Sequence, residues 1–194
     1  MLIPRPETEL VVEKALELAG AGGTALSVFD VGTGSGCIAV TLALELPAAE
    51  IVATDLSRGA LQIARLNAQA YGVADRIGLV QADLLGGLLN RFDIVCANLP
   101  YVRTAELGGL LGREPRLALD GGDDGLLLIR RLIKDLPRCL RPGGGAVLEI
   151  DPRQAEQVVQ LALASLPGSA VDVFQDLAGR DRAVVVRAGD SRAD

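Results

Sequence analysis

Short apolar runs alternate with amphipathic stretches through the first half of the chain, which predicts strands and helices in turn. The runs are rich in Val, Ile, Leu and Ala, as are strands buried on both faces of a sheet. They predict four strands, at about 26–31, 50–55, 77–81 and 92–97. Apolar residues at helical spacing predict three helices, at about 5–20, 36–46 and 57–72. Because strands and helices alternate, we expect a parallel sheet with helices on both faces.

The pattern changes after residue 101. Residues 102–124 show no regular period, and a loop of that length is typically functional or disordered. Beyond it we predict a helix, a turn, a strand, a helix and two strands, at about 125–138, 141–145, 146–151, 152–165, 170–175 and 182–187. The last two strands have a short connection and therefore pair antiparallel. The prediction is one α/β domain over 1–188, with a mostly parallel seven-stranded sheet, an antiparallel last strand and a frayed tail at 189–194.

A glycine-rich turn follows the first predicted strand, where residues 28–37 read VFDVGTGSGC. Gly32, Gly34 and Gly36 let the backbone adopt positive φ and approach a ligand closely. A dinucleotide-binding turn, G-x-G-x-x-G, would need glycine where this chain has Cys37. The D-x-G-x-G-x-G pattern resembles motif I of the class I S-adenosylmethionine-dependent methyltransferases instead. Their Rossmann-like sheet also has seven strands with the last one reversed.

Acidic residues follow the second and third predicted strands. Asp55 ends one strand, and Asp83 and Leu84 follow the next. The carboxyl ends of parallel strands meet at one edge of a sheet, where such folds bind ligands. A carboxylate at 55 can accept hydrogen bonds from ribose hydroxyls. One at 83 can accept the amino group of an adenine whose ring lies against Leu84, so we expect one pocket at this edge.

The tetrapeptide Asn98-Leu99-Pro100-Tyr101 follows the fourth strand and indicates the class of reaction. It resembles the [N/D]-P-P-[Y/F] motif of methyltransferases that modify planar NH2 groups, with Leu99 in place of the first proline. An amide nitrogen is a poor nucleophile because its lone pair is delocalised. The Asn98 side chain and the Leu99 carbonyl can accept its two N–H bonds and aim the lone pair at a methyl donor. Tyr101 can stack on the planar group.

Composition narrows the possible functions. The net charge of −6 argues against a large nucleic-acid surface. The chain has no histidine, which excludes Ser-His-Asp and Cys-His catalysis. No apolar stretch reaches the ~18 to 20 residues of a membrane span, and the N-terminus does not resemble a signal peptide. The three cysteines have no metal-ligand spacing, so we predict no metal site and a reducing, cytoplasmic setting.

These motifs together resemble the protein-(glutamine-N5) methyltransferases of the HemK/PrmC type. The resemblance covers about residues 3–187. It is carried by an IPRPETE segment, the DVGTGSG turn, an EPRLALDGGDDG block and a closing DLAGRDR, at Ile3–Glu9, Asp30–Gly36, Glu114–Gly125 and Asp176–Arg182. We expect the N-terminal helical domain of that family, which helps to bind the substrate, to be absent from this sequence.

The resemblance implies S-adenosylmethionine as the cofactor and the glutamine of the GGQ motif in a peptide chain release factor as the substrate. The residues implied for the cofactor are Asp30, Gly32, Thr33, Gly34, Ser35, Gly36, Asp55, Leu56, Asp83, Leu84 and Asn98. Those implied for catalysis and substrate binding are Asn98, Leu99, Pro100 and Tyr101, with Glu114 and Arg116 at the substrate entrance. We expect a cytoplasmic monomer that acts on protein rather than on nucleic acid.

Three other functions remain open at this point. An adenine-N6 methyltransferase acting on RNA or DNA would use the same tetrapeptide on an exocyclic amine. A nicotinamide-dependent oxidoreductase would use the same sheet, although Cys37 departs from its glycine pattern. A binding module would keep the cofactor pocket without turnover.

Overall fold

The computed structural model describes residues 8–20, 25–88, 91–109 and 115–190. Within them, seven strands form one sheet: β1 Ser27–Val31, β2 Glu50–Asp55, β3 Ile77–Gln81, β4 Phe92–Ala97, β5 Leu140–Glu149, β6 Ala170–Gln175 and β7 Asp181–Arg187. The α-helices are α1 Thr8–Ala19, α2 Cys37–Glu45, α3 Arg58–Ala70, α4 Leu127–Cys139 and α5 Ala155–Ser165. None of the described helices has the length and apolar composition needed to cross a bilayer.

The strand order is β3-β2-β1-β4-β5-β7-β6, and the first five strands in that order are parallel. Strand β7 is antiparallel to both of its neighbours, β5 and β6. The predicted α/β class, the mostly parallel sheet and the antiparallel closing hairpin are therefore confirmed. The chain moves outward from β1 to β3 and then crosses back to β4. This reversal of direction leaves a crevice between the ends of β1 and β4, which is the usual ligand site of such sheets.

One predicted element is wrong. The turn predicted at 141–145 lies inside β5, which starts at Leu140 rather than at residue 146. Leu140 pairs with Phe92 and Gly145 pairs with Ile94, so the residues between them form an irregularity in a continuous strand. Gly144 makes this possible, because a Cβ there would lie 2.9 Å from the main-chain oxygen of Asp93. Without side chains the glycines stay close to β4 instead of turning away from it.

The core consists of two apolar clusters, one on each face of the sheet. Leu132, Ile133 and Leu136 of α4 are fully buried in the cluster that also includes α5. The opposite cluster contains α1 and α2, where Val11 and Leu42 are fully buried. Adjacent β1 residues point to opposite clusters, as expected for a strand buried on both faces. The helices therefore hold the sheet from both sides and leave its carboxyl edge to the loops.

The long loop after β4 is tied to the strand it leaves. The amide of Val102 donates to the Leu119 oxygen at 3.0 Å, and the amide of Gly121 donates back to the Val102 oxygen at 2.8 Å. Gly125 lies against the same segment with a φ of +77°, and a Cβ there would lie 2.5 Å from Gln154 Nε2. Predicting this stretch as irregular was correct only in part, because it contains two short 3-10 helices, Thr104–Gly109 and Arg116–Ala118.

Gly125→Ala should destabilise the protein much more than Gly72→Ala does. Both glycines have positive φ, but a Cβ at 72 meets nothing within 4 Å, whereas one at 125 would collide with the main-chain oxygen of Tyr101. We expect Gly72→Ala to cost about 1–2 kcal/mol of unfolding free energy and Gly125→Ala roughly 1–3 kcal/mol more. Urea denaturation of the two variants measures the difference. Equal losses would contradict the tight packing at 125.

Candidate active site

A cavity of about 250 Å³ opens at the carboxyl edge of the sheet, beside the crevice between β1 and β4. Segments that follow four successive parallel strands contribute to its wall. Its lining consists of Gly32, Gly34, Asp55, Leu56, Ser57, Ala60, Ala82, Asp83, Leu84, Asn98, Leu99, Pro100, Pro115, Leu117, Ala118, Leu128 and Arg131. The structure therefore has a pocket at the edge of the sheet where the sequence predicts a ligand site.

The three glycines of the turn after β1 have different surroundings. All three have positive φ, between +59° and +80°. A Cβ at Gly36 would lie 3.0 Å from the Cβ of Ala64, so this glycine allows α3 to pack closely. Gly32 and Gly34 line the cavity, and a Cβ at Gly34 would meet no atom closer than the Gly32 oxygen at 4.0 Å. Gly34 therefore leaves bare backbone at the cavity wall, where a ligand can approach closely.

Asp55 connects the end of β2 to this turn. Its Oδ2 accepts a hydrogen bond from the Gly34 amide at 2.9 Å, and its Oδ1 accepts one from the Ser57 amide at 2.7 Å. Each carboxylate oxygen has two lone pairs, so the group keeps acceptor capacity toward the cavity that it lines. Asp55 thus fixes the glycine turn and remains able to receive ligand hydroxyls.

Asp30 lies beneath the turn and does not reach the cavity. Its Oδ2 accepts hydrogen bonds from the Thr33 hydroxyl at 2.6 Å and the Ala39 amide at 3.2 Å. Its Oδ1 is buried and finds no partner among the described residues. Complete burial raises the pKa of Asp30 to about 6, against the lowering effect of the Thr33 hydrogen bond. The carboxylate therefore holds the turn from below, and burial penalises its charged form.

Asp83 and Leu84 lie at the cavity as predicted, with one partner that the sequence did not indicate. Arg131 of α4 donates to Asp83 Oδ2 at 2.9 Å, and both residues line the cavity. Leu84 is buried with a φ of +51°, and its oxygen accepts a hydrogen bond from the Thr54 hydroxyl at 2.9 Å. Helix α4 is about 48 residues from Asp83 in sequence, so no local pattern indicated this pair.

Asn98 lies where β4 ends and lines the cavity. Its Nδ2 donates to the Thr8 hydroxyl oxygen at 2.9 Å, while its Oδ1 is buried without a partner in the described part of the chain. Thr8 in turn donates to Glu149 Oε2 at 2.9 Å. The Tyr101 hydroxyl lies 3.4 Å from Glu149 Oε1 and does not line the cavity.

The predicted site residues divide into two groups. The cavity brings together Gly32, Gly34, Asp55, Leu56, Asp83, Leu84, Asn98, Leu99 and Pro100. Outside its lining are Asp30, Thr33, Ser35, Gly36, Tyr101 and Arg116. Glu114 lies outside the described residues. Arg116 pairs with Asp120 at 2.9 Å and is next to the lining residues Pro115 and Leu117.

The chemistry of the cavity suits S-adenosylmethionine. Bare glycine backbone and the Asp55 carboxylate provide polar groups for a ribose, and the buried Leu84 provides an apolar surface for an adenine. Among the described residues the Oδ1 of Asn98 finds no donor, which is unusual for a buried polar atom. These observations support a site for the cofactor and a second group beside it.

The sheet topology, with a glycine turn after β1 and a cavity at the carboxyl edge, is that of the class I S-adenosylmethionine-dependent methyltransferases. The crystal structure of the ribosomal protein L11 methylase from Lactobacillus delbrueckii subsp. bulgaricus matches with a TM-score of 0.71 over 95% of this chain and 80% of that chain, at 24% identity. The family described as ribosomal protein L11 methyltransferase (PrmA) matches residues 6–101.

Curated relatives narrow the class to one family. The release factor glutamine methyltransferase of Moorella thermoacetica is 46% identical over 186 residues, which are 94% of this chain and 65% of that protein. The enzyme of the same description from Gloeobacter violaceus is 40% identical over 193 residues, which are 97% of this chain and 67% of that protein. The chain belongs to the release factor glutamine methyltransferase family and spans about two thirds of the length of these relatives.

Asp30→Asn should make the free energy of unfolding less dependent on pH. The folded-state pKa of about 6 lies above the ordinary value of 3.8, so the folded state holds the proton more tightly. This stabilisation is present at low pH and is lost as the pH rises through 6. Between pH 4.5 and pH 7.5 this loss lowers the free energy of unfolding of the parent by about 2 kcal/mol. Asp30→Asn lacks the titrating carboxyl, so its free energy of unfolding, measured by urea denaturation at both pH values, should fall by that much less.

The exposed Asp75→Asn variant is the control for the loss of one negative charge. It leaves the buried Asp30 carboxyl in place, so the pH dependence that Asp30 contributes to the free energy of unfolding should remain. An Asp30→Asn protein that keeps the full pH dependence of the parent would contradict a buried carboxyl with a raised pKa.

Proposed function

We propose that this chain transfers a methyl group from S-adenosylmethionine to the side-chain amide nitrogen of a glutamine in a peptide chain release factor, within its GGQ motif. The observation that supports this most directly is the buried Oδ1 of Asn98 at the end of β4, beside the cavity, which has no hydrogen-bond partner among the residues that the structure describes. A primary amide carries two N–H donors, and one of them would satisfy this oxygen. The curated relatives are described as release factor glutamine methyltransferases, which agrees with the proposed substrate.

The cofactor supplies an electrophilic methyl group on a positively charged sulfur. The residues of the chain have to make the glutamine nitrogen reactive, because its lone pair is delocalised into the carbonyl. Asn98 Oδ1 and the Leu99 main-chain oxygen would accept the two N–H bonds and direct the lone pair toward the methyl group. They would also stabilise the positive charge that develops on nitrogen during transfer. The nitrogen then loses one proton to solvent, so the chain, which has no histidine, needs no base before transfer.

The cofactor contacts that we propose follow the cavity lining. Asp55 would accept the ribose hydroxyls while it holds the Gly34 amide. Leu84 and Leu56 would contact the adenine ring, and Asp83 would accept its amino group alongside Arg131. Asn98, Leu99 and Pro100 of the tetrapeptide would hold the substrate amide in the same cavity, with Pro115 and Leu117 near the entrance for the substrate. We further propose that the enzyme acts as a cytoplasmic monomer on a protein substrate.

Mass spectrometry of a release factor incubated with the chain and S-adenosylmethionine tests the function. We expect a gain of one methyl group on the GGQ glutamine and no labelled methyl group in adenine-containing RNA or DNA. Methylation confined to the nucleic acid would contradict the proposal in favour of an adenine methyltransferase. Tight cofactor binding with no methylated product would indicate a binding module.

Asn98→Ala should lower the turnover number by about two orders of magnitude or more, as removal of one preorganised polar group in other enzymes does. The variant loses the acceptor that would hold the glutamine amide in the transition state. Steady-state methylation of a release factor measures the effect. Gln175→Ala, which removes an amide on the closing hairpin, should keep the parental rate; an unchanged rate in Asn98→Ala would exclude the proposed role.

Asp55→Ala should weaken binding of S-adenosylmethionine by about tenfold to a hundredfold, which corresponds to the loss of charge-assisted hydrogen bonds of about 1.5–3 kcal/mol. Isothermal titration calorimetry measures the dissociation constant. Asp75→Ala is the matched control, because it removes an exposed carboxylate far from the cavity lining. Equal affinity in Asp55→Ala and in the control would remove Asp55 from the cofactor site.

A further inference from the structure

We propose that Thr8 and Glu149 are positioning residues that fix the orientation of the Asn98 side-chain amide. They would keep its oxygen, rather than its NH2 group, available to the substrate. The inference deepens the proposed function and rests on it. It rests on two hydrogen bonds of Thr8 in α1. One joins it to Asn98 at the end of β4, 90 residues away in sequence, and the other to Glu149 at the end of β5, 141 residues away.

The available protons decide which group donates and which accepts in these two hydrogen bonds. The Thr8 hydroxyl donates to Glu149 Oε2, 2.9 Å away, because the ionised form of a carboxyl group can only accept. A hydroxyl has one proton, and in Thr8 it is given to Glu149. The Thr8 oxygen can then only accept, which requires Asn98 to present its NH2 group at 2.9 Å. The Asn98 oxygen must therefore point away from Thr8.

Burial makes this orientation strict. Thr8 is 6% exposed and Glu149 is 1% exposed, so bulk water has little access to exchange the roles of donor and acceptor. Turning the Asn98 amide by 180° would place its oxygen against a hydroxyl oxygen that has no proton left. Two acceptors would then face each other in a buried place, which is costly. The network thus selects one of two amide orientations that have nearly the same shape.

The selected orientation is the one that the proposed chemistry needs. It leaves Asn98 Oδ1 buried and without a donor in the described residues, ready for an N–H of the glutamine amide. The other orientation would present NH2 to NH2 and could not hold the substrate. Thr8 and Glu149 would therefore control turnover without contacting the reacting atoms.

Three variants test the inference. Thr8→Val keeps the shape of threonine but removes the hydroxyl, and we expect at least a tenfold fall in kcat with unchanged affinity for S-adenosylmethionine. Thr8→Ser restores the hydroxyl and should restore most of kcat. Glu149→Gln replaces the carboxylate with an amide that can donate to the Thr8 oxygen. The Thr8 hydroxyl proton can then bond the Asn98 oxygen and reverse the Asn98 amide, so kcat should fall here as well. Thr41→Val, which removes a hydroxyl bonded to the Cys37 oxygen of α2, is the control and should keep parental kcat.

A second measurement does not depend on activity. In the parent, one side-chain N–H of Asn98 should exchange slowly with solvent in NMR spectra, because it is held by Thr8; in Thr8→Val it should exchange quickly. If the parent methylates no glutamine but shows this difference, the proposed function fails while the orientation by Thr8 stands. If Thr8→Val folds and keeps parental kcat and slow exchange, the inference is overturned. If Glu149→Gln keeps the parental kcat, Glu149 is not a positioning residue.

Discussion

The close approach of the glycine turn after β1 to the exit of β4 is the constraint on which the site depends. A Cβ at Gly32 would lie 2.9 Å from Leu99 Cδ2, so the leucine side chain occupies the space that any other residue at 32 would need. This contact brings the turn and the tetrapeptide to the same cavity, although Gly32 and Leu99 are 67 residues apart in the sequence. The parallel pairing of β1 with β4 sets the approach, because it places both carboxyl ends at one edge. Residues of the turn and of the tetrapeptide therefore line one cavity.

Two carboxylates at the carboxyl edge of the sheet are fixed by hydrogen bonds to neighbouring residues. The Asp55 carboxylate is tied to the Gly34 amide, and Asp83 is tied to Arg131. Preformed hydrogen bonds of this kind reduce the reorganisation that a ligand must cause on binding. In contrast, the buried Oδ1 atoms of Asp30 and Asn98 have no hydrogen-bond partner in the described part of the chain. The first is a cost of placing a carboxylate under the turn, and the second fits an acceptor reserved for a ligand.

The sequence predicted most of the fold because its signals are local. Bounds of β2, β3 and β4 were predicted to the residue, since buried parallel strands appear as apolar runs that end at polar residues. The start of β5 was missed because Pro142 and three glycines indicate a turn, while the pairing of Leu140 with Phe92 overrides that local preference. Strand ends also predicted nine of the residues that line the cavity, although six other predicted residues, among them Asp30 and Tyr101, lie outside its lining. Arg131 and Thr8 were not predicted as partners, because their contacts depend on how distant helices pack.

Leu99 shows how tertiary packing can replace a local restraint. A proline at this position would fix φ through its ring and so direct its own carbonyl. Leu99 lacks that restraint, yet its side chain is 3% exposed and packs into the space above Gly32. Movement of the residue 99 backbone would therefore require the leucine to leave a filled site, which costs buried apolar area. The carbonyl proposed as the second acceptor is thus held by the side chain beneath it, and the glycine at 32 supports the proposed substrate-binding residues as well as the proposed cofactor-binding turn.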